Sequence, residues 1–255
     1  MMRVRLIHCL IVAASLLSVR LNPAQAQDSG AARAPDKAAV KQLIREVLDE
    51  NPELLLDALG ALQAKTEAGR AQGDGKLLKE LRQELEHDPG TFIAGNPQGD
   101  VTVVEFFDYR CGFCKRASPV VQQLLKADGR IRLALKEFPI LGPDSITASQ
   151  AAIAAMAQGK YAPFHDALMA AQGALSEQRV LQIATENGID ADQLRKDMYG
   201  PAAEKVIARN HEIGKQLGLS GTPSFIIGDT LAPGYLDLKE MQQLVTAARN
   251  RCVTC

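Results

Sequence analysis

The stretch "VTVVEFFDYRCGFCKRASP", residues 101–119, decides the fold. It begins with an apolar run rich in β-branched and aromatic residues, which is typical of a strand covered on both faces. Two cysteines two residues apart, Cys111 and Cys114, follow this run, and a helix-favouring segment comes after them. The pair is therefore predicted to lie where a buried strand ends and a helix begins.

That position predicts redox chemistry. Unpaired N–H groups and aligned peptide dipoles at a helix N-terminus stabilise a thiolate, so its pKa falls below the free value of about 8.5. Cys111 is expected to be the exposed nucleophile, and Cys114, one turn further in, the more buried resolving thiol. Gly112 leaves room beside the attacking sulfur, whereas Phe113 adds an apolar surface without positive charge.

The cysteine pair also allows two other interpretations. Cysteines at this spacing are also half of a zinc site, but the other half would be Cys252 and Cys255, far from the usual spacing, and no histidine is close in sequence. A purely structural bridge would close only a short loop and would restrict the unfolded chain little. We therefore expect no metal at the pair, and no cofactor.

The rest of the pattern predicts an α/β core interrupted by helices. A strand from Ile131 to Phe138 follows the cysteine helix, which gives the strand–helix–strand unit of a parallel sheet. Helical signals fill about residues 144–217, in perhaps five helices. "TPSFIIG" then restores a strand, a turn precedes a short strand near Leu231, and residues 236–248 form a closing helix.

The N-terminus has the layout of a cleaved secretory signal. Arginines at positions 3 and 5 precede an apolar run from Leu6 to Val19, and small residues end at Ala26. We expect residues 1–26 to be removed. This leaves 26 basic against 30 acidic residues, and a balance of that kind gives no sign of a nucleic-acid partner.

Residues 27–90 are predicted to form a helical extension. Leucine-rich stripes begin near Asp36, continue after "NPEL" at 51–54, and return at residues 77–85 before "DPG" at 88–90. Short helices are marginal alone, so the stripes must pack on something. They could fold back onto the main domain, or residues 36–64 could associate between chains.

Cleavage also removes Cys9 and leaves four cysteines. The short spacings favour pairing Cys111 with Cys114 and Cys252 with Cys255 in an oxidising compartment. The terminal pair, in residues 251–255, could form a small exposed bridge, accept electrons, or bind soft copper(I) through two thiolates.

Together, "VVEFFDYRCGFCKRASP", the kink-forming Pro119 and "GTPSFIIG" resemble the DsbA-like proteins, thioredoxin-fold disulfide exchange proteins of the bacterial periplasm with an inserted helical domain. The resemblance covers about residues 91–250. Among DsbA-like proteins it is similar to the suppressor-of-copper-sensitivity protein C type. That type implies trimer formation through the N-terminal helical extension.

The resemblance also implies roles for three further residues. Pro223 matches the family's cis-proline, which faces the cysteines and helps to bind extended substrate chain, together with Gly112 and Phe113. Thr222 matches the residue that tunes the attacking sulfur, and threonine there is similar to isomerases. Glu105 matches a buried acid that relays a proton to or from the resolving thiol, although the residue pattern also allows a solvated strand-edge carboxylate.

The implied function is a periplasmic thiol-disulfide isomerase or reductase. Its partners would be exported proteins with disulfides or thiols, and a membrane thiol reductase or oxidase. A dithiol oxidase of the same fold is the nearest alternative, although the Gly112-Phe113 dipeptide departs from the strong oxidase. A copper(I)-binding protein is an alternative of another class.

Three polar residues outside the motif have less certain roles. His165 is expected to be a packing or capping residue rather than a catalyst. Lys136 and Glu137, at the end of the second strand, could border the site or lie at a solvated strand end.

Overall fold

The computed structural model of the 255-residue chain describes residues 36–51, 53–57 and 75–252. The chain divides into two compact units, Met1–Ala58 and Leu59–Cys255. The predicted signal sequence, the leucines at positions 59 and 62, and Cys255 lie outside the described residues. Within the described part, no helix combines the length and apolar character needed to cross a bilayer.

The helix α1 (Lys37–Glu50) belongs to the first unit. In the second unit the elements are, in order, α2 (Arg82–Glu86), β1 (Phe92–Gly95), β2 (Val101–Phe107), α3 (Gly112–Ala127), β3 (Ile131–Glu137), α4 (Pro143–Ala155), a 3₁₀ turn (Met156–Gln158), α5 (Tyr161–Ala170), α6 (Glu177–Glu186), α7 (Ala191–Met198), α8 (Pro201–Gln216), β4 (Ser224–Ile227), β5 (Thr230–Pro233) and α9 (Leu238–Cys252).

The strands form one mixed sheet in the order β1-β3-β2-β4-β5. The central strand β2 runs parallel to β3 and antiparallel to β4, so that Glu105 lies between Leu135 and Phe225. The predicted strand–helix–strand unit and the two later strands are confirmed. β1 was not predicted, because its four residues lie between two turn signals and are too short to show a period.

Both faces of β2 are covered, which explains its continuous apolar run. On one face Val103 and Phe107 pack with α3, α9 and the helical block. On the other face Val104 and Phe106 pack with α8 and with Leu85 of α2. The buried core therefore has two layers of helix around one sheet.

The helices α4 to α8 are the predicted insertion between β3 and β4. Alanines at positions 148, 151, 152 and 155 of α4 are buried. Their small side chains suit close approach, and α4 contacts each of α5, α6, α7 and α8. The helix α4 is thus the centre of the inserted domain.

The two leucine-rich segments of the predicted extension differ. In the first unit, α1 begins at Asp36, whose carboxylate accepts a hydrogen bond from the N–H of Ala38. Its apolar side chains are 36–60% exposed, and residues 53–57 are also helical. In the second unit, Leu78 and Leu85 are only 2% exposed, because residues 77–85 pack on the sheet.

Candidate active site

The loop between β2 and α3 is shaped by Asp108. Its buried carboxylate accepts hydrogen bonds from the backbone N–H groups of Arg110 (2.7 Å), Ile140 (2.8 Å) and Leu141 (3.0 Å), and from the Ser145 hydroxyl (2.8 Å). The first bond lies within the loop, and the other three join it to the loop after β3 and to the first turn of α4. The sequence analysis missed Asp108, although an aspartate two residues before a turn N–H is a common turn signal.

Cys111 is the N-cap of α3. Its Sγ accepts a hydrogen bond from the N–H of Cys114 at 3.4 Å, and as a thiol it donates to the carbonyl oxygen of Thr222 at 3.1 Å. The residue is only 6% exposed, so the expectation of an exposed nucleophile is wrong. Contact with the chain around Thr222 covers it. Cys114 is fully buried, as expected for the resolving thiol.

The two sulfurs differ strongly in acidity. A hydrogen bond from the Cys114 side chain, helped by the Thr222 side chain and by the N–H groups of Cys114 and Phe113, lowers the pKa of Cys111 to about 5 against the cost of burial. The same hydrogen bond, with burial, raises the pKa of Cys114. Near neutral pH, Cys111 is therefore the thiolate of the pair.

The peptide bond between Thr222 and Pro223 is cis. These residues precede β4, the neighbour of β2, so the sheet brings Thr222 beside a cysteine 111 positions earlier in the chain. The carbonyl oxygen of Pro223 accepts a hydrogen bond from the N–H of Gly234 at 2.8 Å. This hydrogen bond joins the chain after β5 to the loop that contains Thr222 and Pro223, which we call the proline loop.

Glu105 is a buried acid on the α3 side of the sheet. It is 3% exposed, and burial raises its pKa to about 8. The solvated strand-edge alternative is therefore wrong. Its carboxyl group has no hydrogen-bond partner among the described residues and lines a cleft of about 230 Å³. Apolar side chains from β1, β3, α3 and α5 form most of the remaining wall, and at its rim Gln122 donates to Asp166 at 2.9 Å.

A second buried acid lies at the end of β3. The Oε1 atom of Glu137 accepts hydrogen bonds from the hydroxyl groups of Tyr109 (2.9 Å) and Tyr161 (2.7 Å), and burial raises its pKa to about 8. The Nδ1 atom of His165 lies 3.0 Å from the Tyr109 hydroxyl, and burial lowers its pKa to about 4. His165 is thus the expected packing residue, and Glu137 is not at a solvated strand end.

Lys136 points to the opposite side of the sheet. Its fully buried ammonium group donates to the Glu84 carbonyl oxygen and the Thr91 hydroxyl, both at 2.6 Å, and lies 3.9 Å from Asp88. Burial lowers its pKa to about 8. These contacts place Lys136 with α2, away from the cysteines.

Lys115 joins the active-site helix to the insertion. Its ammonium group donates to the carbonyl oxygens of Leu168 (3.0 Å), Met169 (3.1 Å) and Ala171 (2.7 Å), at the end of α5. A cation there complements the negative end of the helix dipole. No local pattern indicates this contact, because 53 or more residues separate the partners.

The described residues contain no cluster of three or more histidine, cysteine or acidic side chains that could hold a metal ion. Cys252 is the last residue of α9. Its predicted partner Cys255 lies outside the described residues, so the bridge between them stays a prediction.

Comparisons with known proteins define the class. Residues 102–246 match the DSBA-like thioredoxin domain, and residues 36–68 match the copper resistance protein ScsC N-terminal domain. The first match spans more than half of the chain, so the chain belongs to the DsbA-like thioredoxin family of thiol-disulfide oxidoreductases.

Solved structures support this assignment. A thioredoxin-like oxidoreductase from Silicibacter pomeroyi is 47% identical, with a TM-score of 0.65, over 66% of this chain and 98% of that one. The thiol-disulfide exchange protein alpha-DsbA2 from Wolbachia pipientis is 30% identical, with a TM-score of 0.66, over 70% and 97%. ScsC of Proteus mirabilis, in a transitional conformation, is 26% identical, with a TM-score of 0.65, over 84% and 97%.

Curated relatives include longer proteins. The Na(+)/H(+) antiporter NhaA 1 of Salinispora arenicola is 28% identical over 190 residues, which are 74% of this chain and 28% of the antiporter. The chain thus spans less than a third of the length of the first curated relatives that it matches.

Proposed function

We propose that the protein is a periplasmic disulfide isomerase or reductase that acts on misfolded or copper-oxidised exported proteins. The observation that carries this proposal is the position of the Cys111 sulfur at the start of α3, 3.4 Å from the Cys114 N–H and 3.1 Å from the Thr222 carbonyl oxygen, where hydrogen bonds lower its pKa. A thiolate that is populated near neutral pH is the nucleophile that disulfide exchange requires. The Gly112-Phe113 dipeptide adds no positive charge beside this sulfur, and threonine at position 222 is similar to isomerases, so an isomerase or reductase is favoured over a strong oxidase.

The first chemical step is attack by the Cys111 thiolate on one sulfur of a substrate disulfide. A mixed disulfide forms and the second substrate sulfur leaves as a thiolate. In isomerisation, another substrate thiolate attacks the mixed disulfide and regenerates Cys111. In reduction, Cys114 attacks the Cys111 sulfur, the substrate leaves as a dithiol, and the Cys111–Cys114 disulfide then takes two electrons from a membrane thiol reductase.

Cys114 must lose a proton before it can attack. In the mixed disulfide Cys111 is no longer a thiolate, but burial still raises the pKa of Cys114, so a base would help this step. Glu105 suits that role, because its raised pKa allows it to accept and release a proton near neutral pH. The cleft that reaches its carboxyl group offers a path to exchange this proton with solvent.

The N-terminal unit is proposed to associate between chains. The exposed apolar stripe of α1 is unusual for an isolated surface helix, and the match to the ScsC N-terminal domain covers it. By resemblance the assembly is a trimer, which would present several active sites to one misfolded client. A cleaved signal at residues 1–26 would deliver the protein to the periplasm.

Refolding of scrambled ribonuclease tests this function. An isomerase restores ribonuclease activity from scrambled disulfides, and Cys111→Ser abolishes the effect. A protein that oxidises reduced ribonuclease but does not rescue the scrambled form is instead a dithiol oxidase, and the isomerase proposal is then wrong.

The match to a copper resistance family favours copper(I) binding as the second candidate. Copper(I) titration of the Cys111→Ser variant separates the two functions. Tight stoichiometric binding in this variant, together with negligible exchange activity in the parent protein, would support the copper-binding function.

A further inference from the structure

An arginine lies between two aromatic rings on the surface beside the cysteines. The guanidinium carbon of Arg116 is 4.5 Å from the ring centre of Phe113 and 5.2 Å from that of Tyr235. Phe113 is 56% exposed and Tyr235 is 39% exposed, so both rings also face solvent. We call these three residues the arginine clamp.

The backbone places this clamp at the nucleophile. Phe113 is two residues after Cys111 in the first turn of α3. Tyr235 follows Gly234, whose N–H donates to the carbonyl oxygen of Pro223. Because the adjacent Thr222 lies 3.1 Å from the Cys111 sulfur, both sides of the clamp are fixed to the elements that surround that sulfur.

The charge of the clamp is not matched within the described residues. Arg116 forms no ion pair there, in contrast with Arg249, which binds the carboxylates of Asp100 and Asp128 at 2.7 and 2.9 Å. In the part of the chain that the structure describes, the guanidinium group of Arg110, next to Cys111, donates only to the carbonyl oxygen of Leu141, at 2.5 Å. Two guanidinium groups beside the nucleophile thus lack a carboxylate partner among the described residues.

The acidic residues of the two loops that border the clamp already have hydrogen-bond partners. Asp108 accepts four hydrogen bonds in its buried position. Asp237, two residues after Tyr235, accepts from the N–H of Glu240, and the Glu240 carboxylate accepts from the N–H of Asp237 in return. This mutual cap at the start of α9 leaves the clamp available to an external anion.

A guanidinium group held over aromatic ring faces is attracted by the rings and still has N–H groups to donate, and none of those of Arg116 has an acceptor among the described residues. Those N–H groups match a carboxylate in a bidentate arrangement. The two rings restrict the flexible arginine side chain before binding, so less conformational entropy is lost when a carboxylate docks.

We propose that the arginine clamp selects client segments that carry an aspartate or glutamate close to the reactive cysteine. The proposal rests on the thiol-disulfide exchange described above and names the client chemistry that this site prefers. The apolar faces of Phe113 and Tyr235 would contact the aliphatic or aromatic side chain beside the acid.

The test uses two cysteine-containing peptides, each joined to a fluorescent thiol through a disulfide. The two peptides differ at one position, two residues from the cysteine, which is glutamate in one peptide and glutamine in the other. Release of the thiol by the reduced full-length protein gives the exchange rate. The glutamate peptide is expected to react about 2- to 5-fold faster, as for one exposed charge pair, and the preference should shrink as salt is added.

Substitutions locate the effect. Arg116→Gln should bring the ratio of the two rates close to one, and this ratio, rather than either rate alone, is the readout. Lys126→Gln removes the same charge from the far end of α3 and should keep the preference. Arg116→Lys should keep only part of it, because an ammonium group lacks the planar fork.

Equal rates for the two peptides in the parent protein, or an unchanged preference in Arg116→Gln, would overturn the proposal. If neither peptide reacts at all, the exchange function itself fails, which is a different outcome. The melting temperature of Arg116→Gln, measured alongside, shows whether the clamp also contributes to stability.

Discussion

Cys111 combines two properties that oppose each other, since its residue is almost covered yet its sulfur is acidic. Burial alone would disfavour the thiolate. The hydrogen bonds from Cys114, Thr222 and the first N–H groups of α3 outweigh burial, because each stabilises the charged form. The acidity thus comes from directed contacts rather than from exposure to water.

This acidity predicts the pH profile of alkylation. The rate of iodoacetamide labelling of the reduced protein should rise with a midpoint near pH 5, and at pH 5.5 it should exceed that of a free thiol about tenfold. At neutral pH the two labelling rates should be closer, because more of the free thiol is ionised and because the less basic Cys111 thiolate is intrinsically less nucleophilic. Cys111→Ser should lose this labelling, and a midpoint near 8.5 would contradict the assigned hydrogen bonds.

Glu105 predicts a pH dependence of stability. A pKa raised in the folded state means that stability is fully present at low pH and is lost as pH rises through about 8. A glutamine at position 105 cannot ionise. Between pH 5 and pH 8.5 the free energy of unfolding of Glu105→Gln should therefore fall by at least about 1 kcal/mol less than that of the parent protein. Urea unfolding at both pH values measures the difference.

The exposed Glu204 on α8 provides the matched control. Glu204→Gln should keep the pH dependence of the parent protein. Because Glu137 also has a raised pKa, part of the decline should persist in Glu105→Gln. A Glu105→Gln variant that declines as steeply as the parent would show that this carboxyl group ionises normally.

At the scale of elements, α3 holds the site because it is anchored on two sides. Its start is joined to α5 by Lys115. Its C-cap, Asp128, is bound by Arg249 of α9 at 2.9 Å. The cysteine turn is therefore fixed to both the insertion and the closing helix.

Lys115→Gln should weaken the contact between the start of α3 and the end of α5. A glutamine cannot serve three carbonyl oxygens, and loss of hydrogen bonds from a charged donor costs about 1.5–3 kcal/mol. Urea denaturation should show this loss, whereas Lys126→Gln on the same helix should change stability by less than about 0.5 kcal/mol. Equal effects of the two substitutions would remove the anchoring role.

The helix α8 contains a glycine that its contact requires. A Cβ atom at Gly214 would lie 2.7 Å from the ring of Phe138, which is itself buried. Glycine to alanine in an open helix interior usually stabilises by about 0.5–1 kcal/mol, but here overpacking of about 1–3 kcal/mol should exceed that gain.

Gly214→Ala should therefore lower the melting temperature. Gly112→Ala is the comparison, because no atom lies within 4 Å of its added Cβ, and it should leave the stability of the reduced protein nearly unchanged. A rise in melting temperature for Gly214→Ala would mean that α8 can move away from Phe138 at little cost.

At the scale of the whole molecule, the two compact units differ in how well they bury their apolar side chains. The second unit, Leu59–Cys255, has its own two-layered core, whereas α1 in the first unit leaves its apolar side chains exposed. Removal of residues 27–75 should convert an oligomer into a monomer without loss of the fold. Light scattering of the mature and shortened proteins measures this change, and a mature protein that already has monomer mass would contradict association.

The sequence predicted the elements with strong local signals. The buried strand before Cys111, the five insertion helices and the later strands all follow from periodicity and turn residues. Contacts made across the sheet were not visible in this way: the hydroxyl groups of Tyr109 and Tyr161 meet Glu137 over separations of 28 and 24 residues. Such partners depend on strand order, which no local pattern encodes.

The position of the insertion has one further consequence. Thr222 and Pro223 complete the surroundings of a thiol that is synthesised more than a hundred residues earlier. A polypeptide that is cut within α8 has both cysteines but lacks Thr222, and with it the hydrogen-bond acceptor of the Cys111 sulfur. Such a truncated copy should leave this sulfur open to untargeted oxidation, because the segment that covers it is missing.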